Sequence, residues 1–281
     1  MGFIAIVGSG ALGGAVAHAL AVRDRVTEVR LIDPAGQVAR GKALDIQQSS
    51  PIDNFRTKLS AAESTAAAVG ADIIVIADSA DGNVEHSGEA GLALLRHLTR
   101  AGSRAPIVCA GASQRDLVAK AVTDLHLARE LVLGSAPFAL ESALRAMAGL
   151  ALDGSAVEVG LRVVGVPPRG AVVAWEEATA YGQPLASQMP AHVIAGLAAR
   201  IPGLWPPGPY ALATAAARVV EALALGSRRR FSCFVAMDAG PLRAAVGSMP
   251  VALGPRGVER VHEPALTPQE KTALANALAK V

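Results

Sequence analysis

Residues 3–14 read Phe3-Ile4-Ala5-Ile6-Val7-Gly8-Ser9-Gly10-Ala11-Leu12-Gly13-Gly14. An apolar run of strand length ends in glycines spaced G-x-G-x-x-G, and an Ala/Leu-rich segment of helical spacing follows. Each glycine has a mechanical task in such a turn: Gly8 permits the tight reversal, Gly10 lets backbone approach a pyrophosphate, and Gly13 lets the helix pack closely on the strand. The helix N-terminus then offers free N–H groups and partial positive charge to phosphates. The next apolar run, Val29 to Asp33, ends in a carboxylate about 20 residues past Gly13. A carboxylate there accepts hydrogen bonds from both hydroxyls of an adenine ribose and repels a 2′-phosphate. The expected cofactor is therefore NAD(H) rather than NADP(H), unless Arg40 or Lys42 turns inward. The residues expected around it are Gly8, Gly10, Ala11, Leu12, Gly13, Asp33, Ala77 and Ser79.

Working outward, short apolar runs alternate with segments of helical spacing. Strands are expected over Phe3 to Val7, Val29 to Asp33, Ile73 to Ala77, Ile107 to Ala110 and Leu131 to Gly134. A weaker strand near Lys58 to Ser60 precedes a helix ending at Gly70. Helices are expected over Leu12 to Val22, Val38 to Gln48, Glu85 to Arg100 and Gln114 to Leu125. This alternation is the pattern of an α/β fold with a doubly wound parallel sheet, here over residues 1–140. From Glu141 the pattern becomes mixed α+β, and residues 141–281 are expected to form a second domain. There, extended segments run over Val157 to Val166 and Ala171 to Trp175, and helices over Ala191 to Arg200 and Ala211 to Leu225. Strands at Phe231 to Met237 and Met249 to Leu253 follow. The last helix opens with Thr267 as N-cap, Pro268 at its first position and Glu270 at its third.

Composition narrows the function. With 52% hydrophobic and 18% charged residues the chain of 281 residues lies on the globular side of the boundary with disorder. A net charge of +2 and 3% aromatic residues give no electrostatic or stacking basis for a nucleic-acid partner. Gly2 to Val22 carries no charge, yet it lacks a basic leader and is broken by glycines, so it reads as strand, turn and helix rather than a membrane segment. Cys109 and Cys233 form no CxxC pair and cannot build a zinc site between them, so both are expected to be buried thiols in a reducing cytoplasm. No His lies at metal-ligand spacing from another His or Cys. Ser113 and Ser142 lack a neighbouring His, which leaves hydrolase chemistry without support.

The same residues resemble the lactate and malate dehydrogenases, and the resemblance covers essentially the whole chain. Gly41-Lys42-Ala43-Leu44-Asp45-Ile46 with Ser50-Pro51-Ile52 is similar to the malate dehydrogenase helix and loop that lie at that family's dimer contact. Tyr210-Ala211, Val219-Val220-Glu221 and Cys233 resemble its long helix and following strand. Pro250 to Gly254, Gly257 to Glu259 and Thr267 to Leu274 resemble its C-terminal hairpin and helix. The resemblance implies NADH-dependent reduction of a small 2-oxo acid by a homodimer or homotetramer. In that family a His donates the proton, an Asp orients it, one Arg clamps the carboxylate and a second Arg polarises the carbonyl.

Position by position, the His and both Arg are missing, and only the carboxylate is kept, as Glu141. The place of the His reads Val164-Gly165-Val166-Pro167-Pro168-Arg169-Gly170, and proline cannot titrate. The Asp-Ser-Ala-Arg run reads Glu141-Ser142-Ala143-Leu144; Arg145 follows, but one residue rotates a helix by about 100°, so it points elsewhere. The loop from Asp78 to Gly91, which should be basic, carries Asp81, Glu85 and Glu89, and the family's Asn falls at Gly111. The remaining catalytic candidates are Glu141, His86 and Arg169. The leading expectation is an NAD(H)-binding protein whose 2-oxo acid reduction is impaired or lost. The alternatives are an active dehydrogenase on a non-standard hydroxy or oxo substrate, and a structural homo-oligomer without cofactor.

Overall fold

In the computed structural model, which describes residues 2–237 and 245–280, the glycine turn joins β1 (Ile4–Val7) to α1 (Ala11–Arg23). There follow β2 (Glu28–Ile32), α2 (Gly36–Asp53), β3 (Lys58–Ala62), β4 (Ile73–Ile76), α3 (Gly88–Arg100), β5 (Ile107–Cys109), α4 (Arg115–Thr123), β6 (Val132–Gly134) and α5 (Ala136–Ala151). The remainder runs β7 (Val159–Gly160), β8 (Val163–Val166), β9 (Gly170–Val173), β10 (Thr179–Ala180), β11 (Gln183–Pro184), α6 (Leu185–Gln188), α7 (Ala191–Arg200) and α8 (Pro209–Leu225). It closes with β12 (Arg230–Ala236), β13 (Val246–Gly254), β14 (Gly257–Val261) and α9 (Pro268–Ala279).

The strands from β1 to β6 lie parallel in the order β3-β2-β1-β4-β5-β6, the doubly wound arrangement expected. The order reverses between β1 and β4, so the turns after β1, β2 and β4 share the carboxyl edge of the sheet, where such folds bind ligands. The sheet continues past β6 through β12, β13, β8 and β9 in antiparallel pairings. Buried on both faces, β1 and β4 are continuous apolar runs, Ile-Ala-Ile-Val and Ile-Ile-Val-Ile, without alternation. On α1, Val16, Ala17 and Leu20 are buried; Arg23 and Arg218 of α8 both donate to Glu221, at 3.1 and 2.8 Å. A second, smaller core gathers Leu140, Leu144, Leu161, Leu197 and Ile201. Position 140/141 falls inside α5, whose Ala136 and Ala139 belong to the main core and whose Leu140 and Leu144 belong to the second.

Several local expectations are corrected. The helix expected from Glu85 starts only at Gly88, because Glu85 pairs with Asp78 in a hairpin. The helix expected before Gly70 is a single 3₁₀ turn, Thr65–Ala68, opened by Ser64, whose Oγ accepts the Ala66 N–H at 3.2 Å. Val157 to Val166 is not one strand: a 3₁₀ turn over Ala156–Glu158 precedes β7, and Leu161 and Arg162 separate β7 from β8. The strand expected to Trp175 stops at Val173, and Trp175–Glu177 form another 3₁₀ turn. The capping box is present: Glu270 N–H donates to Thr267 Oγ1 at 3.2 Å and Thr267 N–H donates to Glu270 Oε2 at 2.7 Å. Cys109 and Cys233 are free and buried; burial, with the nearby Glu85 charge, pushes the Cys109 thiol up to about 12, which keeps it protonated and inert. No helix among the described residues is long and apolar enough to cross a membrane.

Candidate dinucleotide site

Gly8 leaves β1 with φ +103°, a left-handed conformation that disfavours any side chain. Gly13 allows the close helix–strand approach expected of it, since a Cβ there would lie 2.1 Å from the Gly8 carbonyl oxygen. Asp33 ends the β2 run and turns inward, 1% exposed. Its Oδ2 accepts the Ser9 and Ala80 N–H groups, both at 2.9 Å, and its Oδ1 accepts the Ala35 N–H at 2.9 Å. Burial opposes its ionisation, but these backbone donors outweigh it and hold the carboxyl below its usual range. Arg40 pairs with Glu63, which lies against Gly36 at the start of α2, and Lys42 Nζ donates to the Gly10 carbonyl at 2.6 Å, so both cations already have internal partners.

The loop after β4 supplies what sequence reading missed. Asp78 enters the glycine turn and is 3% exposed. Its Oδ2 accepts the Leu12 N–H at 3.0 Å and its Oδ1 the Gly13 N–H at 2.8 Å, while its carbonyl accepts the Gly10 N–H at 2.9 Å. Asn83 Oδ1 takes the Ala11 N–H at 2.7 Å. Gly10 provides no side-chain cap, so the first N–H groups of α1 are capped by this loop instead. The loop is a hairpin in which Ser79 N–H bonds Val84 O at 2.8 Å, with Gly82 and Asn83 at φ +68° and +53° making the reversal. Glu85 closes its far end. Its carboxylate accepts the Ala112 N–H at 3.0 Å and the Ser113 N–H at 2.8 Å, filling the space beside Gly111, where a Cβ would lie 2.3 Å from the Glu85 carboxyl.

The structure thus brings Gly8, Gly10, Ala11, Leu12, Gly13, Asp33, Ala77 and Ser79 to one sheet edge, and it adds His86, whose N–H bonds Ala77 O at 3.0 Å. His86 is half-buried rather than a solvated residue at a helix start, and its buried Nε2 has no partner among the described residues. Burial depresses its pKa below 6.5, against the pull of the facing Asp33 and Asp78 carboxylates. The unfolded chain therefore binds more protons just below 6.5, so stability from the neutral imidazole is present above that value and lost as pH falls through the lower folded value. Urea unfolding between about pH 8 and about pH 5 is expected to show this decline. A His86→Gln variant is expected to lack that component.

No hydrogen bond or ion pair among the described residues ties Glu141 or Arg169 to this group. Glu141 is fully buried on α5 and accepts Arg162 Nη1 at 3.0 Å and Ser232 Oγ at 2.7 Å. Arg145 points away, donating to Val159 O at 2.6 Å and Val157 O at 3.2 Å. Arg169 is exposed on the turn between β8 and β9, beside the cis Pro167-Pro168 bond. Leu144, expected at the place of the clamping Arg, is part of the second core.

Residues 3–97 match the family model of the lactate/malate dehydrogenase NAD-binding domain. L-lactate dehydrogenase A of Rhizopus oryzae is 28% identical over 301 aligned positions, covering 98% of this chain and 89% of that protein. Among solved structures, malate dehydrogenase from Salinibacter ruber superposes with a TM-score of 0.89 at 23% identity, covering 99% of this chain and 94% of that one. Lactate dehydrogenase from Cryptosporidium parvum, solved with lactic acid and nicotinamide adenine dinucleotide, gives 0.86 at 22% identity over 99% and 97% of the two chains. Residues 3–97 thus match the NAD-binding domain of the lactate/malate dehydrogenases, and the whole chain has the fold of the solved lactate and malate dehydrogenases.

Proposed function

We propose that the chain is an NAD(H)-binding lactate/malate dehydrogenase-like protein that has lost ordinary 2-oxo acid reduction. One observation carries the second half of that reading: the substrate half offers no proton donor and no carboxylate clamp at the expected places, Pro167-Pro168 standing for the first and buried Leu144 for the second. By position the α1 donors and Asp33 suit a pyrophosphate and a ribose, although Asp78 and Asn83 hold the α1 donors and the buried Asp33 carboxylate already accepts the Ser9, Ala35 and Ala80 N–H groups. NADH, when bound, supplies a hydride. Among the described residues, neither Leu144 nor the Pro167-Pro168 turn offers a cation for a substrate carboxylate or an acid for a developing alkoxide. The carboxylate kept at Glu141 is spent on Arg162 and Ser232. Loss of a general acid costs about 10²- to 10⁴-fold in rate, and loss of the clamp removes substrate positioning as well.

Assembly as a homodimer or homotetramer in the cytoplasm belongs to the same reading. It is supported by α2, which leaves Val38, Leu44 and Ile52 exposed along the segment that resembles the family's dimer contact. The test is NADH oxidation over a panel of 2-oxo acids including pyruvate and oxaloacetate, with NADH binding titrated in the same samples. Binding with turnover at least about 10⁴-fold below ordinary dehydrogenase rates is the expected result. Turnover of about 1–10³ s⁻¹ on any member of the panel would sink the reading. A second reading, a dehydrogenase of a less acidic substrate using His86 as its acid, is favoured by the unpartnered Nε2 alone. It requires turnover that His86→Gln abolishes.

A further inference from the structure

We infer that the hairpin over residues 78–85 is a built-in occupant of the pyrophosphate seat, so that a dinucleotide binds only when this hairpin swings out. The inference rests on the cofactor reading above and concerns how that same site is controlled. A glycine turn at a helix start binds phosphate because its N–H groups are unpaired and point at one place. Here Ala11, Leu12 and Gly13 are all paired, and two of the three partners are the two oxygens of a single carboxylate. Asp78 therefore presents to α1 what a phosphate would: an anion with two acceptor atoms against adjacent N–H groups at the positive helix end.

The glycine turn fits this occupant. A Cβ at Gly10 would lie 2.4 Å from the Asp78 carboxyl, so the position expected to admit a pyrophosphate admits this side chain. One orphaned polar atom marks the closed state as one of two. Ser9, fully buried within the glycine turn, is spoken for by Asp33, but the buried His86 Nε2, whose ring lies in the field of Asp33 and Asp78, has no partner among the described residues. Buried polar atoms without partners are rare in packed structure and are explained where a ligand or second conformation supplies the bond. The hairpin is also constructed to detach as a unit. Its Val84 and Asn83 are exposed, and its anchors are Asp78 and Glu85, paired at its base, Asn83 at its tip, and the Ala80 N–H on Asp33.

A hairpin closed in about 99% of molecules lowers apparent affinity about 100-fold, because only the open fraction is competent to bind. The experiment compares the unchanged protein with Asp78→Ala and Asp78→Asn, the second keeping the size of the side chain while removing its charge. NADH is titrated by fluorescence, and inorganic pyrophosphate by its effect on melting temperature. NADH is expected to bind Asp78→Ala about 10- to 100-fold more tightly than the unchanged protein, with Asp78→Asn between them. Equal or weaker binding by both variants would overturn the inference and leave the cofactor reading standing. If none of the three binds NADH, the cofactor reading falls and pyrophosphate decides the inference by itself. Pyrophosphate raising the melting temperature of the variants but not of the unchanged protein supports it; an equal rise, or none, overturns it. Should Asp78→Ala fail to fold, Asp78→Asn carries the same comparison.

Discussion

Replacing Phe234 by alanine is expected to lower the unfolding free energy by about 3–5 kcal/mol, measured by urea denaturation followed by circular dichroism. Phe234 is 1% exposed on β12 and lies opposite Gly134 of β6, where the parallel strands meet the antiparallel ones. Its ring meets Trp205 edge-on, with centroids 6.0 Å apart and planes at 76°. The other side of the seat is Gly134 itself, where a Cβ would come within 3.0 Å of the ring. Truncation removes the transfer energy of a buried ring and leaves a hollow that this backbone cannot close, because β6 and β12 hold one another in register. An aromatic pair worth about 0.5–1.5 kcal/mol beyond its area is lost with it. Tyr210, 83% exposed at the start of α8, is the control: its alanine variant is expected within about 0.5 kcal/mol of the parent. A loss below about 1.5 kcal/mol at Phe234 would mean that the strand junction repacks, and that the two halves of the sheet are less tightly joined than their register implies.

The part of the molecule that could be read from sequence is the part specified locally. The order of Ile4 to Val7, the three glycines, Val16, Leu20 and Asp33 follows from strand and helix periods and from a fixed spacing, all within one βαβ unit. The Thr267 capping box was legible for the same reason, since cap and N3 residue are three positions apart. Asp78, Asn83 and Glu85 were not legible as partners of α1 and of Ala112, because the pairing depends on β4 lying beside β1 and β5 beside β4. The acidic character of that loop was visible, and it reads as the loss of a substrate cation. The same carboxylates are also internal acceptors that saturate backbone donors from other turns. A signal did exist: in a doubly wound sheet an Asp directly after β4 must emerge at the edge where Gly8 emerges after β1. Gly111 and Glu85 show a related limit. Absence of a side chain at Gly111 explains little until the Glu85 carboxylate is seen filling its place.

Glu141 is where the second large effect is expected: Glu141→Ala is predicted to cost about 2–4 kcal/mol near neutral pH, and Glu141→Gln about 1–2. The carboxylate ties α5 to Arg162, between β7 and β8, and to Ser232 of β12, with bonds of 3.0 and 2.7 Å. Truncation leaves the Arg162 guanidinium without its anion. That side chain is 27% exposed, which brings the penalty below the roughly 3–5 kcal/mol seen when a fully buried pair is broken. Glutamine keeps the length and one acceptor but turns an amide N–H₂ toward a second donor. Burial pushes the Glu141 carboxyl above its usual range despite Arg162, so its contribution is fully present below the unfolded value of 4.5 and is lost as pH rises through the higher folded value. Glutamine does not titrate, and the gap between parent and Glu141→Gln should therefore narrow as pH rises. A gap that widens instead would mean that the ionised Glu141–Arg162 pair stabilises the fold more than burial of its charge destabilises it, and that the carboxylate is held here as a charged strut.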